Sequence, residues 1–318
     1  RPRWDLPPRG RGSGVPPHEA TPRAHGAEFF CLKALLSGPG PPHKPPRPRL
    51  ASCDDDLLEV VRTRERLSDG DGITVDVVWD DWPGGRQGTD YFEQGQPPRG
   101  SKVIYDRARA SATTATAEQL ATDRLSDAAG FHTTGITPAL SDQLAATTGE
   151  LLSQANAEGV LTSFDLNYRS NLWAPEEAAA TLGDLLPDID VLVVAERDAT
   201  AVLGETGDAE TIARSLDRAH EFEVTLVTRG GEGALALAEG EVFEQPVYEA
   251  TSAYPVGTGD AFVGGFLSRY LRGDDVPEAL SWGAAAAALK RSIPGDVAVI
   301  SEAEVREVID GQTGGLSR

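Results

Sequence analysis

The chain has 318 residues, 40% of them apolar, which is enough for one large or two ordinary domains around a buried core. Its formal net charge of −21 argues against a nucleic-acid partner, which needs a basic surface, and against docking on anionic lipid. No run of 18 apolar residues occurs, so no helical membrane span is expected.

The charge is uneven. Residues 1–50 hold nine Lys/Arg against three Asp/Glu, together with twelve of the 22 prolines and three of the five histidines. The remainder holds 20 Lys/Arg against 47 Asp/Glu. An acidic body with so few lysines suits a protein kept soluble in concentrated salt, such as the cytoplasm of an extreme halophile; an ordinary acidic enzyme is the alternative. The two cysteines, Cys31 and Cys53, both lie in the leader region ahead of Gly72, so no disulfide framework is implied and a reducing compartment is expected. Residues 1–50 show no sustained period of 2 or 3.6. Two readings of this leader stay open: a disordered Arg/Pro-rich arm, or text translated out of frame up to about Gly72.

Regular patterning begins at "GITVDVVWDD". "VVWDD", "TDYFEQ" and "SKVIYDRA" read as short strands of a small β lid spanning 72–110, and the segment from 111 onward as an α/β core. "AAGFHTTGI" is a buried strand, followed by a helix capped by Ser141 with Leu144, Ala145, Leu151 and Leu152 on one face, ending near Gly159. "VLTSFDLN" is the next strand, and Pro175 with Glu176 and Glu177 opens the next helix. "DVLVVA" and "VTLVT" are continuous apolar strands, as in a parallel sheet covered on both faces, with a capped helix from Asp208 to about His220 between them. "ALALAEGEVFEQPV" reads as a hairpin. The alternation predicts a three-layer α/β/α fold with a mostly parallel central sheet, whose ligands sit at the carboxyl ends of the strands.

The chemistry concentrates in "GTGDAFVGGFLSRYL". Phe262, Phe266 and Tyr270 recur at helical spacing beside Val263 and Leu267, so a helix starts near Thr258 or Gly259. Its first N–H groups lack internal partners and carry partial positive charge. Glycines ahead of them let the backbone approach a phosphate without a Cβ in the way. Asp260 then lies in the first turn, where a carboxylate can take a proton from an attacking hydroxyl. The plainer reading is a tight turn with an aspartate favouring the helix dipole.

"GTGDAFVGGFL" resembles the second signature of the ribokinase-like (PfkB) carbohydrate kinases over about residues 72–310. The resemblance implies a ribokinase-like fold, ATP and Mg2+ as cofactors, an anion hole at Gly257, Thr258 and Gly259, and Asp260 as catalytic base. Within the family, "GTDYF" with Tyr91, "VIYDRA" with Tyr105 and Arg107, and "FDLNYRSNLW" with Asp165, Asn167 and Arg169 are similar to the subgroup of 2-keto-3-deoxygluconate kinases. Tyr91, Tyr105, Arg107, Asp165 and Arg169 are then expected at the sugar acid, with Asn167 and Arg169 facing nucleotide. An arginine fork suits a carboxylate substrate. In "VTRGGEGALAL", Thr228, Gly230, Gly231 and Gly233 are implied at the nucleotide, and Asp296 in "IPGDVAV" near substrate. The small-residue stretch Gly283–Ala288 permits close packing on a neighbouring element or on adenine.

Departures from the family are as informative. Ala195 and Asp198 stand where the family has an N-x-x-E element, so Asp198 is a weak magnesium candidate acting through water. Tyr254-Pro255 replaces a common Asp-Thr pair. Nothing in 1–71 matches the family's first substrate motif, and "GGRQG" lacks its Asn. The expected activity is ATP-dependent phosphorylation of the C6 hydroxyl of 2-keto-3-deoxygluconate by a cytoplasmic enzyme. The alternatives are a fructokinase or ribokinase, and a non-catalytic nucleotide-binding remnant, because the printed chain is expected to fold or work poorly without that motif. Oligomeric state stays open between an interface on the lid strands and edges blunted by charge.

Overall fold

The computed structural model describes residues 29–31, 86, 88–93, 95, 98–100, 102–107, 110–120, 125, 128–250, 254–295 and 297–311. "VVWDD" and Asp296 lie outside the described residues.

A seven-stranded sheet forms the middle layer, made of β1 (Phe29–Cys31), β4 (Gly130–Thr134), β5 (Leu161–Asp165), β6 (Val191–Ala195), β7 (Val224–Thr228), β8 (Ala234–Ala238) and β9 (Glu241–Gln245), side by side in that order. The first five are parallel, and β8 and β9 close the edge antiparallel. The β8–β9 turn is the two-residue Glu239-Gly240, both at positive φ, a conformation whose twist matches a hairpin. β2 (Thr89–Glu93) and β3 (Lys102–Asp106) form a separate antiparallel pair, the lid.

Helices cover both faces. On one side lie α1 (Asp142–Glu158), α2 (Pro175–Leu185), α3 (Glu196–Leu203) and α4 (Ala209–His220). They pack on Phe131, Phe164, Leu192, Val194 and Val227. On the other lie α5 (Thr258–Tyr270) and α6 (Val276–Lys290), packed on Val191, Val193, Val224 and Leu226. Alternate residues of one strand thus serve two cores, which is why β6 and β7 are apolar throughout. A final helix, α7 (Glu302–Ile309), packs Val305 against Trp282 of α6.

The local signals work as their chemistry requires. Ser141 Oγ accepts the Leu144 N–H at 3.1 Å, and Gly159 ends α1 in the left-handed region. Asp208 caps α4 through the Thr211 N–H at 2.9 Å. Thr147, Thr148 and Ala155 complete the buried stripe of α1, where Ala145 is only half-buried.

Three elements differ from the sequence reading. β1 lies in the segment read as matching nothing: Phe29, Phe30 and Cys31 pair parallel with Gly130, Phe131 and His132. Three residues are too few to display a period, so the strand exists by pairing with β4 alone. α3 follows β6 without a loop, so Asp198, the magnesium candidate of the sequence, lies with Glu196 in a helical first turn, where acidic side chains favour the helix dipole. α7 carries a capping box between Ser301 and Glu304.

Candidate active site

The carboxyl ends of the parallel strands bring the motifs to one edge. Asp165 ends β5, Ala195 ends β6 and Thr228 ends β7, with Ala195 directly paired to Thr228. Beside Thr228 opens a cavity of about 770 Å³, within the range of small-molecule sites.

One wall is the turn after β7. Thr228, Gly230, Gly231, Gly233 and Ala234 line it. The turn is pinned by the Arg229 N–H donating to the Gly233 carbonyl at 2.8 Å and by an ion pair between Arg229 and Glu244 at 3.1 Å. Gly233 has φ 97, and a Cβ there would lie 2.1 Å from the carbonyl oxygen of Gln245, so only glycine fits.

The opposite wall is the start of α5. Gly257, at φ 79, is the N-cap and supplies no side-chain cap, so the first turn is left for an external acceptor. Thr258 and Gly259 line the cavity. The Thr258 hydroxyl donates to the Pro255 carbonyl at 2.7 Å, and the Thr258 N–H reaches the same oxygen at 3.3 Å. That amide, one of the three expected in the anion hole, is therefore partly engaged within its own turn. Asp260 stands exposed in the first turn, at solvent rather than in the core.

The floor and far wall were only partly legible in the sequence. Ala284, Ala287 and Ala288 of α6 line the cavity, as do Phe262, Arg291 and the segment Val247–Ala250. The small-residue stretch is divided between two surroundings. Gly283 packs on Phe262 of α5, while the alanines beyond it face the cavity. Val247–Ala250 has no motif; Tyr248 ties it to α6 by packing beside Trp282 and Ala285 and by a hydroxyl contact with Ser281 at 2.7 Å.

The residues expected at the sugar acid do not line this cavity. Asp165, Asn167 and Arg169 cluster on the loop after β5. The Asn167 N–H donates to Asp165 Oδ1 at 3.2 Å with Asn167 at φ 42, a conformation asparagine tolerates. Arg169 donates to its neighbour's carbonyl, that of Tyr168, at 3.2 Å. Asp198, buried in the first turn of α3, meets this loop. Burial pushes its carboxyl above the usual range, while Arg197 at 3.2 Å, Arg169 and the Tyr168 N–H pull it back. Its carboxylate therefore meets the adjacent Arg197 and the Tyr168 N–H, with the charge of Arg169 close by.

On the lid the two tyrosines separate. Tyr91 pairs with Ile104, whereas Tyr105 pairs with Asp90, so Tyr91 and Tyr105 stand on opposite faces of the two-stranded sheet. Tyr91 is 61% exposed beside Ile104. Tyr105 is half-buried, with the Arg107 guanidinium 4.8 Å from its ring centre.

The groups present fit a nucleotide: a cavity of suitable size, a glycine turn with open space around Gly230 and Gly231, and an uncapped helix start. Among the described residues no group of three or more His, Cys, Asp or Glu is arranged to hold a metal.

A three-layer α/β sheet with a glycine-preceded helix facing a glycine turn across a nucleotide-sized cavity defines a phosphotransferase of the sugar-kinase kind, and the chain belongs to the pfkB family of carbohydrate kinases, whose pattern matches residues 68–303. Among its relatives, it is 53% identical over 247 residues to the 2-dehydro-3-deoxygalactonokinase of Haloferax volcanii, covering 78% of this chain and 77% of that one. It is 31% identical to the 2-dehydro-3-deoxygluconokinase of Thermoproteus tenax, covering 88% and 83%. The crystal structure of the 2-dehydro-3-deoxygluconokinase of Thermotoga maritima superposes with a TM-score of 0.74 at 29% identity, covering 89% of this chain and 84% of that chain. No helix among the described residues is long and apolar enough to cross a membrane.

Proposed function

We propose that this carbohydrate kinase transfers the γ-phosphoryl group of ATP to the C6 hydroxyl of 2-keto-3-deoxygluconate. The observation that supports it most is the single cavity shared by the Thr228–Gly233 turn and the Thr258–Gly259 helix start, with Asp260 exposed one residue further on. ATP supplies the phosphoryl group, and the Mg2+ that accompanies it offsets phosphate charge. Thr228, Gly230, Gly231 and Gly233 hold the nucleotide. The amides of the Gly257–Gly259 turn face the charge that grows on the moving group. Asp260 takes the proton from the acceptor hydroxyl. Tyr105, Arg107 and Arg169 orient the sugar acid, the arginines through its carboxylate.

The epimer is a second reading with its own support. The relative that is 53% identical is named for the galactonate form, whereas those at 31% and 29% are named for the gluconate form. A coupled assay of ADP release, run in concentrated potassium chloride with both 2-keto-3-deoxy acids, fructose and ribose, tests both. Turnover on either acid and not on the neutral sugars is expected, and the ratio of the two kcat/KM values decides the epimer. Turnover restricted to neutral sugars, or ATP binding with no transfer to any acceptor, overturns the proposal.

A further inference from the structure

The side chain of Lys290, the last residue of α6, is fully buried. Its ammonium donates to the carbonyls of Ile293 at 3.0 Å and Gly295 at 2.9 Å. A buried ammonium is costly unless acceptors surround it. A lysine serving only the helix dipole would sit in solvent and bond carbonyls of its own helix; Lys290 instead reaches forward and folds the following turn around its charge.

That turn is joined to the phosphate side of the cavity. Arg291 lines the cavity, and its carbonyl accepts the Tyr254 N–H at 3.1 Å. Tyr254 is followed by Pro255, whose carbonyl receives both Thr258 bonds. Two short turns linked by one backbone bond thus run from Lys290 to the start of α5.

We infer that Lys290 is a positioning residue for phosphoryl transfer. Its buried charge fixes the 290–295 turn, and through the Tyr254–Arg291 bond that turn sets the angle at which the first amides of α5 face the cavity. Lys290 itself does not line the cavity and touches neither reactant in this reading. The inference rests on the proposed phosphate role of the Gly257–Asp260 turn.

The test uses Lys290→Ala in the full chain, with kcat and both KM values measured in sodium chloride and in ammonium chloride of equal concentration. A displaced anion site lowers turnover by about 10- to 100-fold. The KM for ATP is expected to change by less than about threefold, since the glycine turn after β7 is untouched. Ammonium, small enough to occupy the vacated carbonyls, is expected to restore part of kcat. Hydrogen exchange at residues 254–259 is expected to quicken in the variant while the central strands stay protected, a readout that needs no catalysis. Wild-type kcat in Lys290→Ala overturns the inference. So does lost turnover that ammonium does not restore, in a variant with wild-type exchange at 254–259. If Lys290→Ala does not fold, Tyr254→Pro decides, because it removes the linking N–H with Lys290 in place: a comparable fall in kcat supports the route and an unchanged kcat refutes it. A wild-type chain without sugar-acid turnover counts against the proposed function, while the exchange measurement still judges Lys290.

Discussion

Gly265 of α5 and Gly283 of α6 meet where the two helices cross: a Cβ on Gly265 would fall 2.9 Å from the carbonyl oxygen of Trp282, and one on Gly283 would fall 2.8 Å from that of Phe262. Both obstacles are backbone, which cannot swing aside as a side chain can. The close approach holds the start of α5 against the alanine wall of the cavity, so packing and the candidate site share one contact. Gly283→Ala is therefore expected to destabilise the protein by about 1–3 kcal/mol, the cost of overpacking. It should also raise the KM for ATP, because Phe262 lines the cavity. Thermal unfolding and steady-state kinetics check the two effects separately.

Asp260 tests the chemistry directly. It stands exposed in the first turn of α5, beside the cavity-lining Thr258 and Gly259. Asp260→Asn is expected to lower kcat by about 10²–10⁴, the usual contribution of a general base. Nucleotide affinity, measured by calorimetry, should remain close to wild type. A variant at full rate would remove Asp260 from the mechanism.

Gly233 tests the nucleotide wall. Its φ of 97 and the Gln245 carbonyl 2.1 Å from a built Cβ leave no room for alanine. Gly233→Ala is expected to open the turn after β7, weaken ATP binding by at least about tenfold, and cost about 1–3 kcal/mol of stability. Gly231→Ala, at a position with open space around a built Cβ, is the control and should unfold at the wild-type temperature.

The lid gives a contrast within one hairpin. Tyr105 and Tyr91 share the same two-stranded sheet but opposite faces. Tyr105→Ala, which also removes the ring under Arg107, is expected to raise the KM for the sugar acid by about tenfold, on the order of 1.4 kcal/mol. Tyr91→Ala should change it by less than about twofold. Equal losses from both would mean that a single face of the hairpin does not define the substrate side.

Much of this molecule is readable from its residues. The apolar runs "DVLVVA" and "VTLVT", the caps at Ser141 and Asp208, and the glycines around Thr258 rest on forces that act within a few residues: side-chain burial on two faces, one hydrogen bond to an orphan amide, and freedom at positive φ. These fixed the layered fold, the helix start and the family resemblance. Other features depend on partners distant in sequence. β1 exists only through its pairing with β4, 99 residues or more further on. The opposite facing of Tyr91 and Tyr105 follows from strand register, which no single strand reveals. The Asp198 carboxylate, a metal ligand by motif, is buried in the fold beside the loop after β5, where it accepts the Tyr168 N–H as well as the adjacent Arg197. Lys290 looks like a surface lysine at a helix end until the following turn closes over it. The sequence by itself determined where the chain can bend, cap and bury; the tertiary structure alone decided which distant groups meet, because a contact between remote residues is set by how whole layers pack and not by any local preference of the chain.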